Sequence, residues 1–401
     1  MAENKDKKVL NVPNLRFPEF EGEWEEHYLS DYLDFKNGLN PKPERFGKGI
    51  KFISVMDILN NAVITNDCIR ASVDVSEEEL LSFCVENGDI LFQRSSETLE
   101  DVGRANVYMD NKPAVFGGFV IRGKKKAEYD PLFFRYLLAS PFARKKIIPM
   151  GAGAQHFNIG QEGLNKVKLH FALLDEQKKI ARLLSLLDER IATQNKIIDK
   201  LQSLIKGISN RLLYADNSMS IRIEEMLIER SERTKKNNQY EILSSTVNGI
   251  FSQRDYFSKD IASDNNVGYK IIHLHDIVLS PQNLWMGNIN FNDKFDIGIV
   301  SPSYKVFSIA DGFDKKYVAA LLKTHHALYN YMLVSEQGAS IVRRNLNYEA
   351  FEQLVFKIPS LNKQQEIGHV ISLLKSQLEN ANLLIKTYNS QKQYLFRQMF
   401  I

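Results

Sequence analysis

The sequence LLDEQKKIARLLSLLDERIATQNKIIDKLQSLIKGISNRLLY, residues 173–214, predicts one uninterrupted helix because it contains no proline. Its apolar residues recur in steps of three and four, with Gln194 in the single polar slot. That spacing is the a/d heptad pattern of a coiled coil rather than of a helix lying on a globular core. The seam residues are Ile180, Leu184, Leu187, Ile191, Ile198, Leu201, Ile205, Ile208 and Leu212.

A second copy of this pattern lies further along the chain. Ile180 aligns with Ile367, a shift of 187 residues (367 minus 180), and the same shift aligns the following seam residues. A short gap is needed near Asp130 and Asp314. The other aligned positions are Gln177 with Gln364, Asp89-Ile90 with Asp276-Ile277, Gly151-Ala152 with Gly338-Ala339, and Asn158-Ile159 with Asn345-Leu346.

The repeat predicts an α+β protein in which two mixed α/β domains alternate with two long helices. Parallel helices would force the second domain to start at one end of a pair about 60 Å long and finish at the other. A domain of this size is only about 30 Å across. We therefore expect an antiparallel intramolecular coiled coil with pseudo-twofold symmetry. The predicted segments are an N-terminal arm (1–20), a first variable domain (21–172), a central helix (173–215), a second variable domain (216–359) and a C-terminal helix (360–401).

Two local expectations accompany this organisation. Residues 1–16 are polar and charged, which predicts a loose arm, whereas Trp24 is expected to pack in a core. Tyr388 and Lys392 fall on seam positions of the second helix, so its far end is expected to pack less tightly.

Composition excludes several classes of protein. The hydrophobic fraction of 44% suffices for ordinary cores, and the formal charge of +3 neither demands nor excludes nucleic acid. With two cysteines, no signal peptide and no apolar run long enough to cross a bilayer, we expect a cytoplasmic protein.

The sequence contains no phosphate-binding loop, no metal-ligand spacing and no nucleotide-binding glycine turn. We therefore expect no catalytic residue, metal or cofactor in this chain.

Two loops occupy equivalent positions in the repeat and carry different polar side chains. Residues 151–159 and 338–346 are these loops, and such side chains can read base edges. Two further polar stretches, 92–97 and 279–285, follow predicted strands. Each loop alone is more often an ordinary solvated surface, but the matched position in both repeats favours recognition. The candidate DNA-binding residues are Arg94, Ser95, Ser96, Gln155, His156, Asn158, Ser280, Gln282, Asn283, Arg343, Arg344 and Asn345.

Several basic residues elsewhere could neutralise DNA phosphates, which positions a protein on DNA without selecting a sequence. Any one of them is more often an ordinary solvated charge. These residues are Arg45, Lys48, Arg104, Lys235 and Lys236.

From LRFPEFEGEWEE through DEQKKIARLLSLLDERI to FRQMF, the chain resembles the specificity subunit of a type I restriction–modification system. The most specific motifs are FPEFEGEW, the central helix and the loop before each helix, in which a glycine is followed after six residues by Asn-Ile or Asn-Leu. The resemblance implies that residues 21–172 and 216–359 are target-recognition domains for double-stranded DNA. It also implies that the helices bind two methylation subunits, with restriction subunits joining through the assembled methyltransferase. S-adenosylmethionine, ATP and magnesium would then serve the partner subunits, and this chain would not be catalytic.

Two functions remain open at this point. The first is a non-enzymatic DNA-reading scaffold, and the alternative is a coiled-coil protein whose variable domains bind other proteins. Salt-dependent binding to duplex DNA distinguishes them. A DNA-reading scaffold should recognise an asymmetric, split target with an unread gap set by the helices. Its half-site centres should lie about one helical turn apart, roughly 10–10.5 base pairs.

Overall fold

The computed structural model describes residues 10–212, 219–256, 265–337 and 343–401. It contains two compact units, the first made of Met1–Asn195 with Leu384–Ile401 and the second of Lys196–Leu383. The predicted boundary between residues 215 and 216, and residues 338–342 of the second predicted loop, lie outside the described residues.

The first unit is built around a four-stranded antiparallel sheet. Its strands are β1 (Glu25–Tyr28), β2 (Leu33–Asn37), β3 (Phe46–Ile53), β4 (Ser72–Val73), β5 (Ile90–Gln93), β6 (Ser95–Ser96), β7 (Ala105–Val107), β8 (Ala114–Phe116), β9 (Val120–Lys125), β10 (Phe157–Asn158) and β11 (Lys168–Phe171). Its helices are α1 (Leu29–Tyr32), α2 (Val55–Asn60), α3 (Glu77–Phe83), α4 (Pro131–Ala139), α5 (Pro141–Ile147), α6 (Gln161–Asn165) and the first part of α7 (Leu174–Leu212). The sheet order is β2-β9-β5-β7, and a second sheet has the order β4-β3-β8.

The second unit repeats this outline. Its strands are β12 (Met219–Arg222), β13 (Leu227–Glu229), β14 (Leu243–Thr246), β15 (Gly249–Ser252), β16 (Lys270–His273), β17 (Ile277–Leu279), β18 (Ile289–Phe291), β19 (Ile297–Val300), β20 (Lys305–Ile309), β21 (Ser335–Gln337), β22 (Arg344–Leu346) and β23 (Val355–Ile358). Its helices are α8 (Ile223–Met226), α9 (Gln253–Tyr256), α10 (Lys315–Leu321), α11 (His325–Leu333), α12 (Tyr348–Glu352) and part of α13 (Leu361–Gln398). The sheet order β13-β20-β17-β18 corresponds to β2-β9-β5-β7.

The first and last strands of each α+β domain are neighbours. Strand β1 pairs antiparallel with β11, the last strand before α7, and β12 pairs in the same way with β23, the last strand before α13. A domain whose two ends are neighbours is what the antiparallel arrangement of the helices requires.

The long helices pair antiparallel within each unit. In the first unit, Asp188 near the start of α7 accepts a hydrogen bond from Lys392 near the end of α13, at 2.5 Å. In the second, Ile205 near the end of α7 lines the same cavity as Ile371 near the start of α13. The seam side chains are the buried or half-buried ones, as with Ile180 and Leu184. The predicted architecture of two α+β domains and two long antiparallel helices is therefore confirmed.

Two residues that align in the repeat, Gln177 and Gln364, connect each long helix to the domain that precedes it. Gln177 and Gln364 are buried at the first turns of α7 and α13. The side-chain Oε1 of Gln177 accepts a hydrogen bond from the backbone N–H of Asp130 at 3.0 Å, and Oε1 of Gln364 accepts one from the backbone N–H of Asp314 at 3.1 Å. Asp130 and Asp314 in turn cap α4 and α10. This Gln–Asp clasp fixes each long helix to the domain that precedes it.

A buried carboxylate supports the central sheet at the same point of each unit. Asp89 accepts from the Arg122 guanidinium at 2.6 Å, and Asp276 accepts from Arg230 at 3.0 Å. Both carboxylates also accept a backbone N–H three residues earlier, at Glu86 and His273. An unpaired buried charge costs several kcal/mol, so each carboxylate needs an arginine partner. The arginine comes from β9 in the first unit and from the residue after β13 in the second.

The far end of α13 packs tightly, so the prediction of looser packing is wrong. Leu395 of α13 and, just beyond the helix, Met399 and Phe400 are buried in the core of the first unit, where Phe400 makes an edge contact with Trp24 at 6.4 Å. Trp24 is 2% exposed, which confirms its predicted core position. Lys392 on the seam is neutralised by Asp188. The heptad pattern considers only the partner helix, whereas this end also packs against aromatic side chains of the domain.

Residues 10–20 are docked on the first unit, so the prediction of a loose arm is wrong for the described part of that segment. The guanidinium of Arg16 forms two hydrogen bonds with the carboxylate of Glu176, at 2.8 and 2.7 Å. Glu176 is fully buried. The backbone N–H of Leu15 donates to the Gln398 carbonyl at 2.9 Å. A polar segment can dock because its arginine compensates a buried carboxylate, which composition does not reveal.

Candidate nucleic-acid interface

The first candidate site is a two-stranded ribbon, which we call the first polar ribbon (residues 94–96 and 152–158). Strand β6 pairs antiparallel with β10, so that Ser95 faces Asn158. The backbone N–H of Ile159 donates to the Arg94 carbonyl at 2.9 Å. Two polar stretches that the sequence presents separately, 92–97 and 151–159, therefore form one surface.

The hairpin of this ribbon is closed by its own backbone. Ala152 and Asn158 exchange two hydrogen bonds, at 2.9 and 2.8 Å. Gly153 has φ +143, and a Cβ at this position would lie 2.0 Å from the His156 carbonyl oxygen, so the tip requires glycine. The side chains of Gln155 and His156 are exposed at the tip. They are thus presented to solvent on a short constrained loop.

The remaining side chains of the first polar ribbon are partly engaged within it. Ser95 Oγ donates to Asn158 Oδ1, which orients the amide. Arg94 Nη1 donates to the Gly118 carbonyl at 3.2 Å, and this leaves further N–H groups of the guanidinium for a ligand. Ser96 is buried, and its Oγ accepts from the Thr98 backbone at 3.2 Å, so this residue supports the ribbon from below.

The second unit carries a comparable surface, the second polar ribbon (residues 280–285, 335–337 and 343–346). Strand β22 pairs antiparallel with β21, so that Asn345 faces Glu336. The backbone N–H of Arg344 donates to the Gln282 carbonyl at 3.1 Å. The predicted stretches 279–285 and 343–346 are therefore also in contact.

An arginine stacked on a tryptophan dominates the second polar ribbon. The Arg344 guanidinium carbon lies 4.4 Å from the centre of the Trp285 ring. Such stacking holds the planar guanidinium in one orientation while leaving its edge available. The side chains of Gln282, Arg343 and Asn345 are exposed.

Two predicted residues of this ribbon are less accessible. Ser280 is buried and its backbone N–H donates to the Asn288 carbonyl at 2.9 Å. Asn283 is half-buried, and its buried Oδ1 has no hydrogen-bond partner within the described part of the chain. Both residues shape the loop beneath Gln282.

Sequence reasoning missed an exposed aromatic edge beside the first polar ribbon. Phe119 is 68% exposed, and its carbonyl accepts from the Arg94 backbone N–H at 2.9 Å. It borders a hollow of about 380 Å³ that is also lined by Phe46 and Met56. Aromatic residues after a strand usually lie in a core, so only the glycine pair Gly117–Gly118 before Phe119 hinted at a surface turn.

Three of the five basic residues predicted as phosphate contacts are already paired. Arg45 binds Glu79 and, through this hydrogen bond, lowers the pKa of that carboxyl to about 2. Lys48 lies 3.1 Å from Asp74, and Arg104 lies 2.6 Å from Asp101. Their charge is therefore partly offset within the protein. The other two, Lys235 and Lys236, are exposed.

The described residues offer neither a metal site nor a membrane-spanning helix. Within residues 10–212, 219–256, 265–337 and 343–401, no cluster of three or more His, Cys, Asp or Glu side chains has the geometry to hold a metal ion. In the same ranges, no helix combines the length and apolar character needed to span a membrane.

The family model and the curated proteins that this chain resembles all describe type I restriction specificity proteins. The model of the type I restriction modification DNA specificity domain matches residues 21–203. Over 210 residues the chain is 27% identical to the putative type I restriction enzyme MjaX specificity subunit of Methanocaldococcus jannaschii, covering 51% of this chain and 49% of that protein. Over 188 residues it is 24% identical to the type I restriction enzyme EcoKI specificity subunit of Escherichia coli, covering 46% and 39%. The chain thus spans less than half the length of these curated relatives.

Solved structures show the same fold over nearly the whole chain. The crystal structure of the type I restriction–modification system S subunit from M. genitalium superposes with a TM-score of 0.62 at 14% identity. That match covers 97% of this chain and 99% of the other. A structure concerning complex assembly and conformational transition of the type I R-M system gives a TM-score of 0.51 at 11% identity, covering 94% and 97%.

The fold defines a class of protein in which two α+β domains, each with a polar ribbon, are joined by a pair of long helices. Within that class, residues 21–203 match the model of the type I restriction modification DNA specificity domain. The resemblance drawn from the motifs between FPEFEGEW and the central helix is thereby confirmed.

Proposed function

We propose that this chain is the sequence-specific DNA-binding specificity subunit of a type I restriction–modification complex. The observation that carries the proposal is the repeated placement of a polar ribbon at the same point of each unit. The two ribbons differ in their side chains, as two domains reading unlike half-sites would require. Each domain would read one half of an asymmetric bipartite target. The family match over residues 21–203 supports this assignment.

The ribbon side chains suit contacts with base edges. Glutamine and asparagine form paired hydrogen bonds with adenine, and arginine does so with guanine. We assign Gln155, His156 and Asn158 to the first half-site, with Arg94 as a further base or phosphate contact. Gln282, Arg343 and Arg344 would read the second. The stack of Arg344 on Trp285 would orient the guanidinium before DNA arrives and so reduce the entropy lost on binding.

The long helices would set the gap between the half-sites and dock two methylation subunits. Apolar side chains that lie off the a/d seam support a docking role, because they stay exposed within the described helices. They include Leu186, Leu204, Leu373, Leu383 and Leu384. Methyl transfer, translocation and cleavage would belong to partner subunits, with S-adenosylmethionine, ATP and magnesium bound there. Restriction subunits would join through the assembled methyltransferase, and the complex would act in the cytoplasm on double-stranded DNA.

Binding to duplex DNA should weaken steeply with salt. Because each neutralised phosphate releases counterions, the slope of log K against log salt should be about −0.9 for every phosphate contacted. Fluorescence anisotropy with the full chain and its methylation subunits, at several chloride concentrations, measures this slope. The target duplex comes from the methylated motif of a host carrying these subunits. Affinity that is independent of salt would contradict the proposal and favour the protein-binding alternative.

Each ribbon should control one half of the recognised sequence. Replacing Gln155, His156 and Asn158 by alanine should relax the methylated motif in one half only, since each base-edge contact is worth roughly 1–3 kcal/mol. Replacing Arg343 and Arg344 should relax the other half. Sequencing of methylated DNA from hosts carrying each variant measures both effects.

A matched control for this experiment is the pair Lys235→Ala and Lys236→Ala. These lysines are exposed and lie outside the ribbons, so their loss should weaken binding without changing the motif. Circular dichroism checks that the Asn158 variant still folds, because Asn158 is bonded to Ser95. Equal relaxation of both halves by either ribbon variant would refute the assignment of one domain to one half-site.

A further inference from the structure

A cavity in the second unit collects three lysines. It has a volume of about 290 Å³ and lies between the end of α7, the α10–α11 junction and the first half of α13. Lys206, Lys323 and Lys375 line it, together with His325, and no lining residue is a carboxylate. The polar groups Gln202 and Ser209 also face it. Three ammonium groups around one small cavity repel one another unless an anion joins them.

The described residues do not neutralise these charges. Lys323 Nζ donates to the carbonyls of Gly287 at 2.7 Å and Val247 at 3.2 Å, which are uncharged acceptors. Burial and the neighbouring Lys375 lower the pKa of Lys323 to about 8. Both causes disfavour the protonated ammonium, so an anion in the cavity would stabilise it.

Two carboxylates stand near Lys375, but they act from a distance. Asp293 and Glu379 attract its charge without forming an ion pair with it, and Glu379 pairs instead with Lys294 at 3.5 Å. Lys206 also forms no ion pair within the described ranges. Within the described ranges, therefore, no carboxylate forms an ion pair with any of the three lysines.

The internal repeat provides a comparison within the same chain. The shift of 187 residues aligns Lys375 with Asp188 (375 minus 187) on α7. In the first unit, Asp188 accepts hydrogen bonds from Lys392 at 2.5 Å and from the Tyr136 hydroxyl at 2.9 Å. It also lies 3.5 Å from Arg135. The first unit thus supplies a carboxylate for its cations, whereas the second places a third lysine at the aligned position.

We propose that the lysine cavity of the second unit binds a phosphate group. A phosphate brings close to two negative charges and several strong acceptor oxygens, which matches three ammonium groups better than a single carboxylate does. Gln202 and Ser209 add neutral donors at the wall. The phosphate is carried either by a small phosphorylated molecule or by a DNA backbone. The inference stands on the cavity and the repeat, and does not rest on the proposed function.

The test is calorimetric titration of the full chain with inorganic phosphate, at constant ionic strength set with chloride. We expect saturable binding to the unaltered chain. Lys375→Asp places a carboxylate at the position that Asp188 occupies in the first unit, and it should weaken phosphate binding about tenfold or more. Lys206→Gln should also weaken it. The matched control is Lys200→Gln, because Lys200 is exposed on the same helix but does not line the cavity.

Thermal unfolding of each variant separates loss of binding from loss of folding. Lys375→Asp should unfold at the same temperature as the unaltered chain or higher, because it relieves repulsion among the lysines. The proposal is overturned if the unaltered chain shows no saturable phosphate binding, or if Lys375→Asp binds phosphate as well as the control. A second arm adds saturating duplex DNA. Displacement of phosphate identifies the backbone as its source, and retention identifies a small phosphorylated molecule.

Discussion

Replacing Leu187 and Leu374 together by aspartate is expected to unfold the paired helices in both units. Leu187 is 6% exposed on the seam of α7, and Leu374 is half-buried on that of α13. Removing a buried leucine side chain costs about 2–5 kcal/mol, and burying an unpaired charge adds to this. The sum approaches the whole stability of a typical domain, about 5–15 kcal/mol. Loss of helical circular dichroism and an increased hydrodynamic radius measure the effect.

The sequence offers a closely matched control for that experiment. Leu186 and Leu373 precede the two seam leucines and are 39% and 52% exposed. Leu186→Asp with Leu373→Asp adds the same charge on the same helices, yet should change the unfolding temperature little. The same control should reduce binding of methylation subunits if the exposed leucines dock them. Equal stability of the seam and control variants would refute the coiled-coil interpretation.

Arg16→Ala should destabilise the first unit by about 3–5 kcal/mol, because it leaves a buried carboxylate without its partner. Glu176 is fully buried, and the side chain of Arg16 is only 12% exposed. The hydrogen bond to Glu176 raises the pKa of Arg16 above its ordinary range, so the stabilisation is fully present at neutral pH and is lost only in strong alkali. The expected fall in unfolding temperature is roughly 6–20 °C for a unit of this size.

Two variants separate the ion pair from the general loss of an arginine. Arg182→Ala removes an exposed arginine from α7 and should change stability by less than about 0.5 kcal/mol. Arg16→Leu combined with Glu176→Leu removes both charges and should recover much of the loss. A stability of Arg16→Ala equal to that of Arg182→Ala would show that the docked arm does not support the helix.

Most of the fold could be predicted from the heptad pattern and the internal repeat of the sequence. The heptad seam from Ile180 and its copy from Ile367 specify the helices, because a coiled coil repeats one contact at fixed spacing. The repeat also marked Gln177 and Asp89 as important. Their roles could not be derived, since the partners of these residues lie tens of residues away and obey no period. For the same reason the sequence did not reveal that Arg16 compensates Glu176.

The sequence predicted which stretches form the candidate sites, but not how these stretches contact one another. The sequence identified both stretches of each ribbon, but not that β6 pairs with β10 or that Arg344 stacks on Trp285. Short strands of two or three residues carry no alternation of apolar and polar side chains, so their pairing depends on the tertiary fold. The sequence also did not predict that Ser96 and Ser280 are buried, because a serine hydroxyl is as common in a buried turn as on the surface.

The contribution of residues 395–400 to the first unit has a consequence for biosynthesis. The ribosome makes Phe133 roughly 15–50 s before Phe400, at about 5–20 residues per second, and Trp24 earlier still. During that interval the first unit lacks part of its aromatic core. Lys196–Leu383, by contrast, is one continuous segment of chain and can close as soon as it emerges. The second unit would therefore complete its core before the first, whose aromatic core stays incomplete until residues 395–400 are made.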